Sequence, residues 1–132
     1  MSLLARALKV QAALWFLGAL GFGLVPKWLI EDLADQPPLA EYAWVRTGAV
    51  MGFVLALLMV LIARRLDDVW WWAWAFVVLS VGMATVLILN GAFALPREAA
   101  AWPWWTLGGV HLALAAAAMV GLARAGQEKP FV

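Results

Sequence analysis

Apolar residues fall into four long blocks along this chain, separated by short polar stretches. The clearest block is Tyr42 to Arg65, YAWVRTGAVMGFVLALLMVLIARR. It carries no charged residue between Thr47 and Ala63, has Arg46 near its start, and ends on Arg64-Arg65. A helix must run for about 20 mostly apolar residues to cross ~30 Å of hydrocarbon, and each block has close to that length. The pattern predicts an all-α integral membrane protein with helices over about 3–24, 42–63, 69–94 and 104–123, arranged as an up-down bundle in one tetraspan domain.

The breaks between blocks carry their own chemistry. Pro26 closes the first block, and KWLIEDLADQPPLAE follows. Residues 28–35 read either as a short interfacial helix with Trp28, Leu29 and Leu33 on its apolar side, or as a loop anchored by Trp28. Pro37-Pro38 ends either one, because proline lacks a donor and restricts its predecessor. The turn Arg64-Arg65-Leu66-Asp67-Asp68 is too short for anything but an antiparallel return. Trp70, Trp71, Trp72 and Trp74 then form an aromatic belt, with a second, opposite belt at Trp102, Trp104 and Trp105, since an indole is apolar with one N–H that wants water. Pro96 and Arg97-Glu98 end the third block, and the tail from Arg124 to Val132 is expected to fray. Arg6 and Lys9 before an apolar run also suit a secretory signal. The run is long for that, however, and Ala19-Leu20-Gly21 is a poor cleavage pattern, so a retained helix is favoured.

Composition makes the membrane reading firm. Of 132 residues, 67% are hydrophobic and 13% charged, and mean hydropathy is +0.92. A soluble domain of this size could not hide that much apolar surface. A net charge of +1 leaves no basic footprint for nucleic acid, and the absence of cysteine removes disulfides and thiol chemistry. Sorting cations by side places Arg6, Lys9, Arg64, Arg65, Arg124 and Lys129 on one face and Lys27, Arg46 and Arg97 on the other. The positive-inside rule then puts both termini in the cytoplasm, at a cell inner membrane.

Helices in lipid gain little from hydrophobicity and associate through close backbone contact. Gly48, Gly52 and Ala56 in the second block, and Gly109, Ala113, Ala117 and Gly121 in the fourth, offer small residues at spacing four, for packing within the bundle or between copies. Ser80 and Ala84 do so in the third, with Gly91 further on.

Polar residues inside the blocks are few: Gln11, Arg46, Thr47, Ser80, Thr85, Asn90, Thr106 and His111. Ionisable groups in a membrane are costly, so they are candidates for function. Arg46, Asn90 and His111 lie at similar depth and would make a ligand-binding site, Arg46 facing an anionic or carbonyl head while Asn90 and His111 hydrogen-bond to it. The alternative has Arg46 reaching outward to water or to Glu41, Asp32 or Asp35, with His111 bonding a neighbouring helix. His111 alone would also serve as an axial ligand to a haem or chlorin. No intramembrane carboxylate, serine beside the histidine, or metal-ligand cluster points to catalysis. A coupling-ion exporter of the small multidrug type needs an acid in its first helix, and this one has none.

The first block closing on Leu24-Val25-Pro26, the aromatic-acidic loop, and a second block opening Trp44-Val45-Arg46-Thr47-Gly48 and closing Ala63-Arg64 resemble small bacterial four-helix proteins similar to DoxX. The resemblance implies a tetraspan fold and an accessory role beside redox or envelope machinery, with no catalytic residues. Two functions are therefore expected as alternatives. One is an accessory or scaffolding protein that binds other membrane proteins, or itself, through its helix faces. The other binds or transports an amphiphile, lipid or quinone-like, at Arg46, Asn90 and His111.

Overall fold

A computed structural model describes residues 1–129. The described residues are helical with connecting turns: α1 (Ser2–Leu24), a π-helical turn (Trp28–Leu33), α2 (Ala43–Arg64), α3 (Leu66–Val69), a 3-10 turn (Trp70–Ala73), α4 (Trp74–Phe93) and α5 (Trp102–Glu128). Four stretches are long and apolar enough to span a membrane: α1, α2, α3 through α4, and α5. Large apolar side chains such as Leu17, Val50, Val78 and Phe93 point outward. Lipid satisfies such a surface and water does not.

The helices form two antiparallel hairpins, α1 with α2 and α4 with α5. The hairpins meet along α1 and α5, while α2 and α4 make little direct contact. The faces that pack alternate steps of three and four residues. On α5 the seam is Gly108, His111, Ala115, Ala118, Leu122 and Ala125; on α2 it is Ala49, Gly52, Ala56 and Met59. A period of 3.5 keeps one face against a neighbouring helix, as in coiled coils and bundles.

This alternation corrects the spacing-four ridges. Four residues turn a helix by about 400°, so a strict ridge slips ~40° per step off its seam. Gly109 and Ala113 are exposed, and a Cβ on Gly109 or Gly48 would meet nothing within 4 Å. Ala117 is half-buried. Gly121, by contrast, sits where a Cβ would come 2.8 Å from the Cα of Leu4, and only a residue without one lets α1 and α5 approach that closely. Gly52 faces the Trp15 ring, where a Cβ would lie 3.3 Å from it.

The core fills one half of the bundle, the end that carries Met1 and Lys129. Leu4, Leu8, Met59, Leu66, Trp70, Phe76, Val77, Ala118 and Leu122 pack there. Trp70 is only 5% exposed and lies in this core, so the aromatic belt at this end consists of Trp71, Trp72 and Trp74 without it. Gln11, 0% exposed, crosses the core and donates from Nε2 to Ser80 Oγ at 2.6 Å and to the Phe76 carbonyl at 3.2 Å. Two ion pairs close the end: Met1 with Glu128 at 3.0 Å and Lys129 with Asp67 at 2.8 Å.

Two boundaries of the last helix differ from expectation. It begins at Trp102 because Pro103 sits in the first turn, where its missing N–H costs nothing. It continues to Glu128 because Ala125 is fully buried and extends the packed seam. The expected frayed tail is thus helical through Glu128, and its end beyond Lys129 lies outside the described residues.

Opposite the termini, the loops are strapped together. Gln36 donates to the Ala100 and Ala34 carbonyls, each at 2.8 Å, and accepts from Trp104 Nε1 at 3.0 Å. The Ala100 N–H donates to the Asp35 carbonyl at 3.0 Å. Tyr42 donates its hydroxyl to Glu31. That bond, with a smaller contribution from burial, raises the phenol above its ordinary pKa.

Candidate functional site

The main buried hydrophobic cluster lies in the terminal half of the bundle. A cavity of about 320 Å³ lies between the helices in the loop half, lined by residues of all four. Helix α1 contributes Leu14, Trp15, Gly18, Ala19 and Phe22, and α2 contributes Val45, Gly48, Ala49 and Gly52. Met83 and Leu87 of α4 and Leu107 and His111 of α5 complete the wall. Space persists because α2 and α4 stay apart, and because glycine or alanine occupies five of the nine positions that α1 and α2 supply.

The polar groups stand at the deep end, near the middle of the bundle. The α1 lining runs from Leu14 outward to Phe22, and the α5 lining from His111 outward to Leu107, so Trp15 and His111 mark the floor. Their rings meet edge to face, with centroids 5.8 Å apart and planes at 64°. His111 is 6% exposed, and its Nδ1 is buried without a hydrogen-bond partner. The indole Nε1 of Trp15 is also buried and unpartnered. A polar atom left unpaired in an apolar interior costs about 1–3 kcal/mol, and the Oε1 of Gln11, away from this hollow, is a third such atom.

The three sequence candidates do not converge. His111 lines the cavity, but Arg46 and Asn90 do not. Arg46 is exposed, and its Nε donates to the Gly23 carbonyl at 3.3 Å. Gly23 belongs to the last turn of α1, whose carbonyls lack intrahelical partners and carry the negative end of the helix dipole, so Arg46 acts there as a cap. It pairs with none of Glu41, Asp32 or Asp35. Asn90 is half-buried near the end of α4, where its backbone carbonyl accepts from Ala94 at 3.0 Å. Depth along a helix was readable in sequence; direction around it was not.

Trp15 is the residue that sequence reasoning missed. Its signal was position: an indole eight residues or more from either end of its helix is too deep to belong to an interfacial belt.

The lining carries no carboxylate, lysine or arginine. Its polar side chains are the indole of Trp15 and the imidazole of His111, whose Nε1 and Nδ1 are themselves buried. It supplies no acid–base pair and no nucleophile. Among the described residues no cluster of His, Cys, Asp or Glu is suited to a metal ion. Comparison of the chain with family models, curated proteins and solved structures finds no match.

Proposed function

We propose that this protein is a multi-pass inner-membrane protein, both termini cytoplasmic, that binds an amphiphile in the cavity between its helices. The ligand is lipid-soluble and uncharged, with a carbonyl or hydroxyl oxygen reaching the floor. The supporting observation is the pair of buried, unpartnered atoms, Trp15 Nε1 and His111 Nδ1, on one apolar cavity. A cavity of about 320 Å³ is at the small end of ligand sites, suited to a ring with a short chain, quinone-like, rather than to a whole phospholipid. Entry runs laterally between α2 and α4, past Gly48, which is exposed and lines the cavity.

The test is to purify the protein in a mild detergent and identify retained small molecules by mass spectrometry. Trp15→Phe keeps the ring and removes the donor, so it is expected to weaken retention about fivefold. Gly48→Trp, built on a Cβ that meets no neighbour, is expected to block entry without unfolding the protein. Wild-type protein that emerges empty, and fails to bind an added short-chain benzoquinone, would sink the reading.

A second reading is the accessory role that the DoxX-like resemblance implies, with other membrane proteins docking on the helix faces. It draws on Gly109 and Ala113, which leave a flat, outward strip on α5. Partner proteins that co-purify with wild type and are lost in Gly109→Leu support it. A chain that purifies alone counts against it.

A further inference from the structure

A second hollow lies on the bundle surface, independent of the cavity above. It has a volume of about 400 Å³ and is a groove between α1 and α2, lined by Lys9, Ala12, Ala13 and Phe16 of the first and Phe53, Ala56, Leu57 and Val60 of the second. Its two ends differ in chemistry. At mid-bundle it is closed by Phe16 and Phe53, whose ring centroids are 5.8 Å apart. At the terminal end stands Lys9, the one charged residue in the lining.

More charge gathers at that mouth. Because α1 and α2 are antiparallel, with Phe16 beside Phe53 and Lys9 sharing the groove with Val60, Arg64 comes level with Ala5 and Arg6. Arg6, Lys9 and Arg64 are exposed, and none of them makes an ion pair with a described residue. Neutralisation from within is scarce at this end. Glu128 is taken by Met1 and Asp67 by Lys129, which leaves Asp68 as the only other described carboxylate.

We infer that this groove binds one acidic phospholipid, its acyl chain along the α1–α2 seam and its phosphate among Lys9, Arg6 and Arg64. The apolar track runs from Lys9 to Phe16, about 10 Å along the axis. A chain lying there continues into the bilayer, which a soluble anion could not do. Two arginines and a lysine at the edge of the hydrocarbon complement a phosphate, and basic pockets between transmembrane helices hold anionic headgroups by this means.

Native mass spectrometry of delipidated protein, titrated separately with dioleoyl phosphatidylglycerol and dioleoyl phosphatidylcholine, tests the inference. One phosphatidylglycerol is expected to bind at least about fivefold more tightly than phosphatidylcholine, with Lys9→Gln and Arg64→Gln each removing about that factor. Ala13→Phe, at an exposed position in the groove, is expected to weaken both lipids. Arg124→Gln, at the same end but on α5 and outside the groove, is expected to change nothing. Equal affinity for the two lipids overturns the inference. So does an effect of Arg124→Gln as large as that of Lys9→Gln, which would reduce the preference to diffuse surface charge.

Discussion

The two halves of this bundle use the same four helices differently. In the terminal half α1 and α5 approach so closely that Gly121 faces the backbone of Leu4, and the buried amide of Gln11 spends both its N–H groups on Ser80 and Phe76. In the loop half the helices border a half-open hollow of about 320 Å³, and the buried Trp15 Nε1 and His111 Nδ1 have no hydrogen-bond partners. Gln11 and Trp15 are one turn apart on the same face of α1. Within that turn the chain passes from an amide whose N–H groups serve the fold, though its Oε1 is buried without a partner, to an indole N–H with none. The unpaired indole and imidazole differ from the Gln11 oxygen in belonging to residues that line a hollow.

The contrast is most directly broken at its tight end. Gly121→Leu forces side-chain atoms into the Leu4 backbone and is expected to cost about 1–3 kcal/mol or more, seen as a lower thermal midpoint in detergent. Gly109→Leu, on the same helix but facing outward, should leave the midpoint unchanged. Equal losses in the two variants would mean that the α1–α5 seam is not the closure described.

A smaller effect of opposite sign in the two halves sharpens the comparison. Ser80→Ala strands part of the Gln11 amide and is expected to destabilise by about 1 kcal/mol. His111→Leu removes a buried nitrogen that has no hydrogen-bond partner and gives up only the edge contact with Trp15, so stability should hold or rise by up to about 1 kcal/mol while ligand retention falls. Chemical denaturation in detergent reads both. A His111 variant that is destabilised as much as Ser80→Ala would place the histidine among the structural groups.

The smallest expected effect lies in the loops. Tyr42 is the only tyrosine, so tyrosinate absorbance reports it alone. Its folded pKa is raised, so the Glu31 bond contributes fully below the ordinary tyrosine value of about 10 and is lost as pH climbs through the higher folded value. Glu31→Gln should move the titration midpoint down. A midpoint already at the ordinary value would show that the bond does not persist in solution.

Existence and length of the helices were legible because each block is apolar over a membrane's width, a property of composition that survives any rotation about the axis. Direction around the axis was not. The ridge through Gly109 and Gly121 reaches the packed face only at its far end, at Gly121, since a spacing of four drifts steadily from a spacing of 3.5. The same uncertainty grouped Arg46 and Asn90 with His111, because all three share a depth. It also left Trp15 unremarked among ten tryptophans, although its depth alone set it apart from the belts. Trp70 shows the converse: its place in the sequence of the belt concealed its burial, which follows from the turn that swings it beneath α5.

That turn has a mechanical consequence. Leu66 to Ala73 is the short chain link between α2 and α4, and Val69, with φ −136, breaks the helix just before Trp70. Trp70 packs beside Gly126 at one end, α2 and α4 make little contact along the rest of their length, and the link is the chain connection between the two hairpins. A rotation of about 5° there, carried along about 20 Å of helix, moves the far end by about 2 Å. That is half the width of a methyl group, delivered at the lip beside Gly48, and α1, packed along α2, has to move with it or slide against it.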